Sequence, residues 1–232
     1  MPRIEGLEAD EDGLQHRAIE DYLKTIYRLA QAESPVSTSR IARERDVKPA
    51  SATGMVQRLA KLGLLAYRKR EGVTLTPAGE KIALEVLRHH RLIEAYLIEA
   101  LGFGWDEVHE QADLLEHVIS EKLEAHIARA LNHPEFDPHG DPIPSADLEM
   151  NVAPTVALAT VPAGSRARIM RIIGHDDGAM LRYLADLGLV PQVEIAILEV
   201  APFEGPITVR LAGDQKVIGQ KLAQMIQVEL LN

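Results

Sequence analysis

The chain has 232 residues, 46% of them hydrophobic, and a formal net charge of -10. That apolar share can bury a sizeable core, so a wholly disordered chain is excluded, and the length suggests two compact units plus a smaller one. There is no cysteine, which excludes a disulfide framework, a thiolate zinc site and a cysteine nucleophile and fits a reducing compartment. No run approaches the roughly 18 apolar residues of a membrane span, and the start is acidic where a signal peptide would be basic, so the expectation is a cytoplasmic protein.

The acidic average conceals segments of opposite sign. Residues 36–75 hold nine basic residues (Arg40, Arg43, Arg45, Lys48, Arg58, Lys61, Arg68, Lys69 and Arg70) against Glu44, Asp46 and Glu71, a local charge of +6. Residues 81–150 carry five basic and fifteen acidic residues together with seven of the nine histidines. A basic segment followed by an acidic, histidine-rich one points to two different jobs along the chain.

In chain order, the stripe Ile19, Leu23, Ile26 and Ala30 predicts a first helix over 18–30. Ser37, Thr38 and Ser39 offer N-cap hydroxyls for a short second helix. Pro49 suits the first turn of a third, with Met55, Val56, Leu59 and Leu62 facing inward and Gly63 ending it. Residues 65–75 read as two short strands around the charged turn RKREG, and a long helix follows from Thr76 to Leu101. It breaks at Gly102-Phe103-Gly104, and another helix is expected from about Asp106 to Leu131. Residues 132–164 contain six of the thirteen prolines and read as connecting chain. Strands are then expected at 165–173, 194–200, 207–211 and 216–218 around one helix (AMLRYLADLG), a small β-barrel of SH3-like size. The fold class is mainly α: a winged helix-turn-helix over 1–75, a helical domain over 76–145, a linker over 146–164 and the SH3-like β-barrel over 165–232.

Helix, tight turn, helix and basic hairpin together form a winged helix-turn-helix. The start of the third helix is slim, so Ala50, Ser51, Ala52, Thr53 and Gly54 can come close to base edges. Ser39 stands on the preceding helix. Lys48, Arg58 and Lys61 are placed for phosphates, and Arg68, Lys69 and Arg70 lie at the wing tip. A solvated charged face is the plainer explanation, but a local +6 on an acidic chain favours double-stranded DNA as partner.

A second constellation offers metal ligands. His90 and Glu94 are spaced i,i+4 on one helix face, and His109, Asp113, Glu116 and His117 follow at spacings of 4, 3 and 1. Imidazole and carboxylate groups so spaced can chelate a first-row divalent cation. Any one of them alone is ordinarily a solvated surface residue; six together on two neighbouring helices weaken that reading and favour a metal site.

The order EDYLKTIY (20–27), the winged helix, HRLIE (90–94), VHEQADLLEHV (108–118) and GDPIP (140–144) resembles the diphtheria-toxin-repressor family of metal-activated transcriptional regulators. The resemblance is close over 15–145, and the C-terminal module is similar to the FeoA-like domain of longer members. It implies a primary regulatory site from Asp21, Asp113, Glu116 and His117 and a second site from His90, Glu94 and His109. His175 and Asp177 are further candidates in the third domain. Where the iron branch has methionine and cysteine, this chain has Asp21 and Asp113, and hard oxygen donors suit Mn2+ (manganese) better than sulfur does. Mn2+ is therefore the expected effector, with Fe2+ (iron) second. Lys24 stands where the manganese branch carries a glutamate that helps hold a metal pair, and an ammonium cannot take that role.

The expectation is a homodimer that binds an inverted-repeat operator and represses metal-uptake genes when metal is plentiful, with Leu92, Leu97, Ile98, Leu114, Leu115 and Ile119 available for the dimer interface. Two other readings compete. A winged-helix regulator of a small organic ligand would leave the histidines incidental. A carboxylate-bridged di-metal enzyme would need two Glu-x-x-His pairs, which only residues 106–109 and 113–116 approach.

Overall fold

The computed structural model describes residues 12–174 and 177–231. They fall into two compact units. One comprises residues up to 90 with 116–124 and 144–149; the other comprises 91–115, 125–143 and 150 onward. The units thus cut across the sequence segments, because the helix over 77–101 belongs to both.

The first unit opens with α1 (Asp12–Ala30). Its Ile19, Leu23 and Ile26, one turn apart, are fully buried, each contributing about 1.5–3 kcal/mol by leaving water. Helix α2 (Thr38–Glu44) is capped by Ser37, whose side chain accepts from the Arg40 N–H. A tight turn with Asp46 at φ 48° leads to α3 (Pro49–Lys61), with proline in its first turn. Ala52, Val56 and Leu59 form the buried face of α3. Ala52 therefore packs inward and is withdrawn from the face expected to meet bases. Leu62, expected inside, is 41% exposed: it is the C-cap residue, and the chain turns away at Gly63, φ 75°.

The wing is the antiparallel pair β1 (Leu65–Arg68) and β2 (Gly72–Leu75), closed where Arg68 faces Gly72. Thr76 then caps α4 (Pro77–Leu101), its hydroxyl accepting from the Gly79 N–H and donating to the Gly63 carbonyl.

The single helix expected over 106–131 is two, α5 (Val108–Leu115) and α6 (Glu121–Ala130). His89 Nδ1 lies 3.1 Å from the Glu116 carbonyl oxygen, which takes that carbonyl out of the helical ladder. Ser120 Oγ accepts from the Leu123 N–H and starts the second helix. Tertiary bonding at Glu116 overrides a periodicity that runs on without interruption.

The second unit ends in a six-stranded antiparallel sheet of order β3-β8-β4-β5-β6-β7. Its strands are β3 (Val156–Ala157), β4 (Arg166–Ile172), β5 (Glu194–Val200), β6 (Ile207–Leu211), β7 (Asp214–Ile218) and β8 (Ile226–Leu231). Helix α7 (Gly178–Leu187) follows β4, and α8 (Gln220–Met225) precedes β8. Alternate residues of β4 to β6 (Ile169, Ile195, Ile197, Ile207 and Val209) point into one apolar core with Leu181 and Leu184.

Part of the stretch read as linker is ordered. Strand β3 pairs with β8, and Leu158 and Val161 are buried in the sheet's core. Proline content marked the absence of long elements, not the absence of order. The segment before it is equally fixed: Gly140 sits at φ 87°, and a Cβ there would fall 1.8 Å from the Met170 carbonyl oxygen. Only glycine allows that approach.

Candidate metal centre and nucleic-acid interface

Within the first unit, α1 turns Glu20, Asp21 and Lys24 toward the segment between α5 and α6. His117 is held between two α1 carboxylates: Nδ1 is 2.6 Å from Glu20 Oε2, and Nε2 is 3.1 Å from Asp21 Oδ1. Glu116, whose side chain is wholly buried, lies 3.3 Å from His117 Nε2 through Oε1. Its Oε2 is 2.5 Å from His90 Nδ1. The ligand atoms of Asp21, Glu116 and His117 all lie within 4.8 Å of one another. Two hard carboxylates and an imidazole, half-buried or deeper, form a donor set that suits a divalent first-row ion.

Charge balance in this cluster is tight. Burial by itself would push the His117 pKa down, but its hydrogen bonds to Asp21 and Glu20 and the charge of Glu116 carry it up to about 9. Burial acts to raise the Asp21 carboxyl, yet the bond from His117 and the charge of Arg45 hold it below its ordinary value. Lys24 donates to both Glu116 oxygens, at 2.6 and 2.8 Å. Removing one partner of so buried an ion pair costs on the order of 3–5 kcal/mol. Both Glu116 oxygens are thus already engaged by an ammonium.

The remaining expected ligands make the following contacts within their own units. Asp113 is in the second unit, where its Oδ2 is 3.8 Å from His109 Nε2. There, too, His109 Nδ1 is 3.1 Å from Glu94 Oε1. His90 Nδ1 lies against Glu116 Oε2 in the first unit, at 2.5 Å. Asp177 serves as N-cap of α7, its side chain accepting from the Met180 N–H, and His175 lies outside the described residues.

A third group went unnoticed in the sequence. Glu94, Asp137 and His139 are all buried in the second unit, with ligand atoms within 4.8 Å of one another. Trp105 stacks on His139 with ring centroids 5.4 Å apart, and its indole N–H donates to the Pro138 carbonyl. Burial, reinforced by the neighbouring charges of Asp141 and Glu94, raises the Asp137 pKa to about 7 despite Arg91. Crowded buried carboxylates that cannot all ionise unaided form a second donor set suited to a cation. The available signal was an Asp-Pro-His-Gly turn (137–140), a carboxylate and an imidazole two residues apart, masked because the stretch read as connecting chain.

The expected nucleic-acid face is open. Ser39, Lys48, Ala50, Ser51, Gly54, Lys61, Arg68, Lys69 and Arg70 are exposed, while Thr53 and Arg58 are half-buried. Gly54 has no atom within 4 Å of where a Cβ would stand, so its lack of a side chain serves nothing inside the unit. Thr53 Oγ1 donates to the Pro49 carbonyl, which ties that hydroxyl to the helix backbone. Arg45, counted among the basic residues of this segment, faces the Asp21, Glu116 and His117 cluster: a guanidinium nitrogen is 2.8 Å from Asp21 Oδ2.

A winged helix whose first helix supplies one side of a buried carboxylate and imidazole cluster defines a DNA-binding protein with a built-in candidate metal centre. The chain belongs to the iron-dependent repressor family, that of the diphtheria toxin repressor. Residues 16–73 match the iron-dependent repressor N-terminal DNA-binding domain, 76–145 the iron-dependent repressor metal-binding and dimerisation domain, and 156–230 the FeoA domain. The chain is 32% identical over 223 residues to the iron-dependent repressor IdeR of Mycobacterium tuberculosis, covering 90% of this chain and 96% of that one. It is 28% identical over 222 residues to the diphtheria toxin repressor of Corynebacterium diphtheriae, covering 91% and 96%. Among solved structures it is similar to a manganese-dependent transcriptional repressor in complex with manganese, with a TM-score of 0.83 and 37% identity over 92% of this chain and 100% of that one. It is also similar to the manganese regulator SloR, with a TM-score of 0.73 and 31% identity over 92% and 98%. The family is one of metal-dependent transcriptional repressors, which bind DNA and dimerise through the dimerisation domain and are not enzymes. Among the described residues no helix is long and apolar enough to cross a membrane.

Proposed function

We propose that this chain is a Mn2+-activated repressor, with Fe2+ as second effector, which binds an inverted-repeat operator as a homodimer and silences metal-uptake genes when metal is plentiful. The observation that carries the reading is the meeting of Asp21, on α1 of the DNA-binding unit, with Glu116 and His117. A divalent ion supplies there a charge that one imidazole and two carboxylates can share. Asp21 would ligate through the oxygen that now faces His117, His117 would give up its proton, and Glu116 would turn one oxygen away from Lys24. These residues would then hold α1 in a single position against the segment between α5 and α6, favouring one arrangement of the DNA-binding surface.

The all-oxygen and imidazole composition supports manganese. No thiolate or thioether is present to favour softer ions, although raw affinity still rises toward later metals. The buried Glu94, Asp137 and His139 group is a candidate second centre, with His109 beside Glu94 and Asp113 beside His109 as further donors. Of the residues expected at the dimer interface, Leu92, Leu97 and Ile119 are buried within the chain, while Leu114 and Leu115 are 55% and 39% exposed. The exposed pair is the better candidate for contact with a second copy.

The test is operator binding against Mn2+, Fe2+, Zn2+ and no metal, followed by footprinting. Mn2+ at saturation is expected to give the largest increase in operator affinity, even though Zn2+ binds at lower concentration, with protection of two half-sites about one helical turn apart. Binding indifferent to every metal, or a footprint without two-fold symmetry, would refute the proposal.

A further inference from the structure

Arg45 stands at the C-cap of α2, at the turn of the helix-turn-helix. Its guanidinium does not point with the other basic residues of this segment. One nitrogen lies 2.8 Å from Asp21 Oδ2, and the group sits over the Tyr22 ring at 5.6 Å from the centroid. The Arg45 side chain is 30% exposed and that of Asp21 19%, so the pair is largely shielded from solvent. Asp21 is divided between two partners, Oδ1 toward His117 and Oδ2 toward Arg45.

The turn that Arg45 begins is short and tightly bonded. The Asp46 N–H donates to the Arg43 carbonyl and the Val47 N–H to the Ala42 carbonyl, with Asp46 at φ 48°. Lys48, the N-cap of α3, comes next, and Pro49 opens the helix. From the guanidinium to the residues expected to approach bases, Ala50 and Ser51, there are five or six residues of constrained backbone. Asp21 is therefore joined by one ion pair to the turn that sets where α3 begins.

We propose that Arg45 is the positioning residue that couples the Asp21, Glu116 and His117 cluster to the recognition helix. This rests on the metal-dependent function proposed above and adds the route by which occupancy reaches the DNA-reading surface. Asp21 would hold an ion through Oδ1, which would fix the plane of its carboxylate, and the Oδ2 bond would pass that orientation to Arg45 and the α2–α3 turn. Arg45 makes no contact with the ion and no base contact. Its effect belongs to the coupling between the two binding events, not to either alone.

Coupling is reciprocal, since metal must tighten DNA binding by the same factor by which DNA tightens metal binding. The experiment measures four quantities on the full chain: Mn2+ affinity with and without operator, and operator affinity with and without Mn2+. Arg45→Met keeps the aliphatic packing and removes the ion pair. Wild type is expected to show a coupling factor of about 10 or more, within the range usual for allosteric proteins, and Arg45→Met a factor reduced at least about fivefold. The Mn2+ affinity of the DNA-free variant is expected within about threefold of wild type, because Asp21, Glu116 and His117 all remain. Arg45→Lys should recover part of the coupling, since a single ammonium can still reach Asp21.

An unchanged coupling factor in Arg45→Met overturns the proposal. So does an equal loss of operator affinity with and without metal, which would make Arg45 a phosphate contact. A collapse of Mn2+ affinity with normal coupling at saturating metal also overturns it, since Arg45 would then serve only the metal site. Should Arg45→Met not fold, Arg45→Gln, which keeps hydrogen-bond donors without the charge, takes its place with the same expected outcome. If neither folds, with or without Mn2+, Arg45 is a stability residue and the proposal fails. A wild-type chain with no metal response would refute the parent reading instead, and the wild-type arm shows that independently.

Discussion

His117 shows how far a single side chain can depart from its ordinary chemistry when the fold surrounds it with carboxylates. The sequence places metal competition with protons near the usual histidine value of about 6.5. In the folded chain the imidazole holds its proton up to about 9. Because the folded value lies above the unfolded one, the proton's contribution to stability is complete below about pH 6.5 and vanishes as pH rises through about 9. A divalent ion at this nitrogen must displace that proton. Mn2+ affinity should therefore climb across the window from about 6.5 to 9, by about tenfold per pH unit while one proton is released. Calorimetry in buffers of different ionisation enthalpy counts the protons. Affinity that is flat over this window, with no proton released, would remove His117 from the ligand set.

At the scale of elements, α3 is built with two faces of different character. Its buried face (Ala52, Val56 and Leu59) is small and apolar, whereas Gly54 on the other face borders open space. A mid-helix glycine costs stability, so Gly54→Ala should raise the stability of the chain by roughly 0.5–1 kcal/mol. If the slim face of α3 meets base edges, the added methyl should also weaken operator binding by about 1–2 kcal/mol, the size of one disturbed base contact. Thermal unfolding and operator binding on the same variant separate the two effects. A variant that is more stable and binds DNA as tightly as wild type would move the base contacts elsewhere. The wing and α2 complete the element that carries this face, and α2 and α3 owe their ends to local chemistry legible in sequence: Ser37 as N-cap of α2, Pro49 at the start of α3 and Gly63 after its end.

For the whole molecule, the net charge of -10 would repel DNA were it evenly spread. The +6 of residues 36–75 is instead displayed on exposed side chains, among them Lys48, Lys61, Arg68, Lys69 and Arg70. Affinity should fall steeply with salt, and Lys69→Ala should weaken binding to every sequence alike while reducing the log–log salt slope by about 1. Electrophoretic mobility measured from low to moderate salt reads this slope. An unaltered slope would mean that the wing tip does not touch phosphate.

Residue type and spacing alone determined the winged helix, four of the six strands of the C-terminal sheet (β4, β5, β6 and β7, but not β3 or β8) and the candidate carboxylate and imidazole donors. Those features depend on local rules: caps, periods of 3.6 and 2, and chelating side chains close in sequence. What only the tertiary structure decided depends on residues far apart. The break between α5 and α6 arises because His89 reaches the Glu116 carbonyl. Asp21 meets His117 across 96 residues of chain, a contact that helical spacing could not show. His139 and Asp137 become a buried cluster only because the turn at Gly140 fits against the Met170 carbonyl. Lys24, legible only as the wrong residue for a second ion, closes on Glu116 across 92 residues of chain. Arg45 looks like one more phosphate contact until the fold sets it against Asp21, because charge is written in sequence but its direction is set by packing.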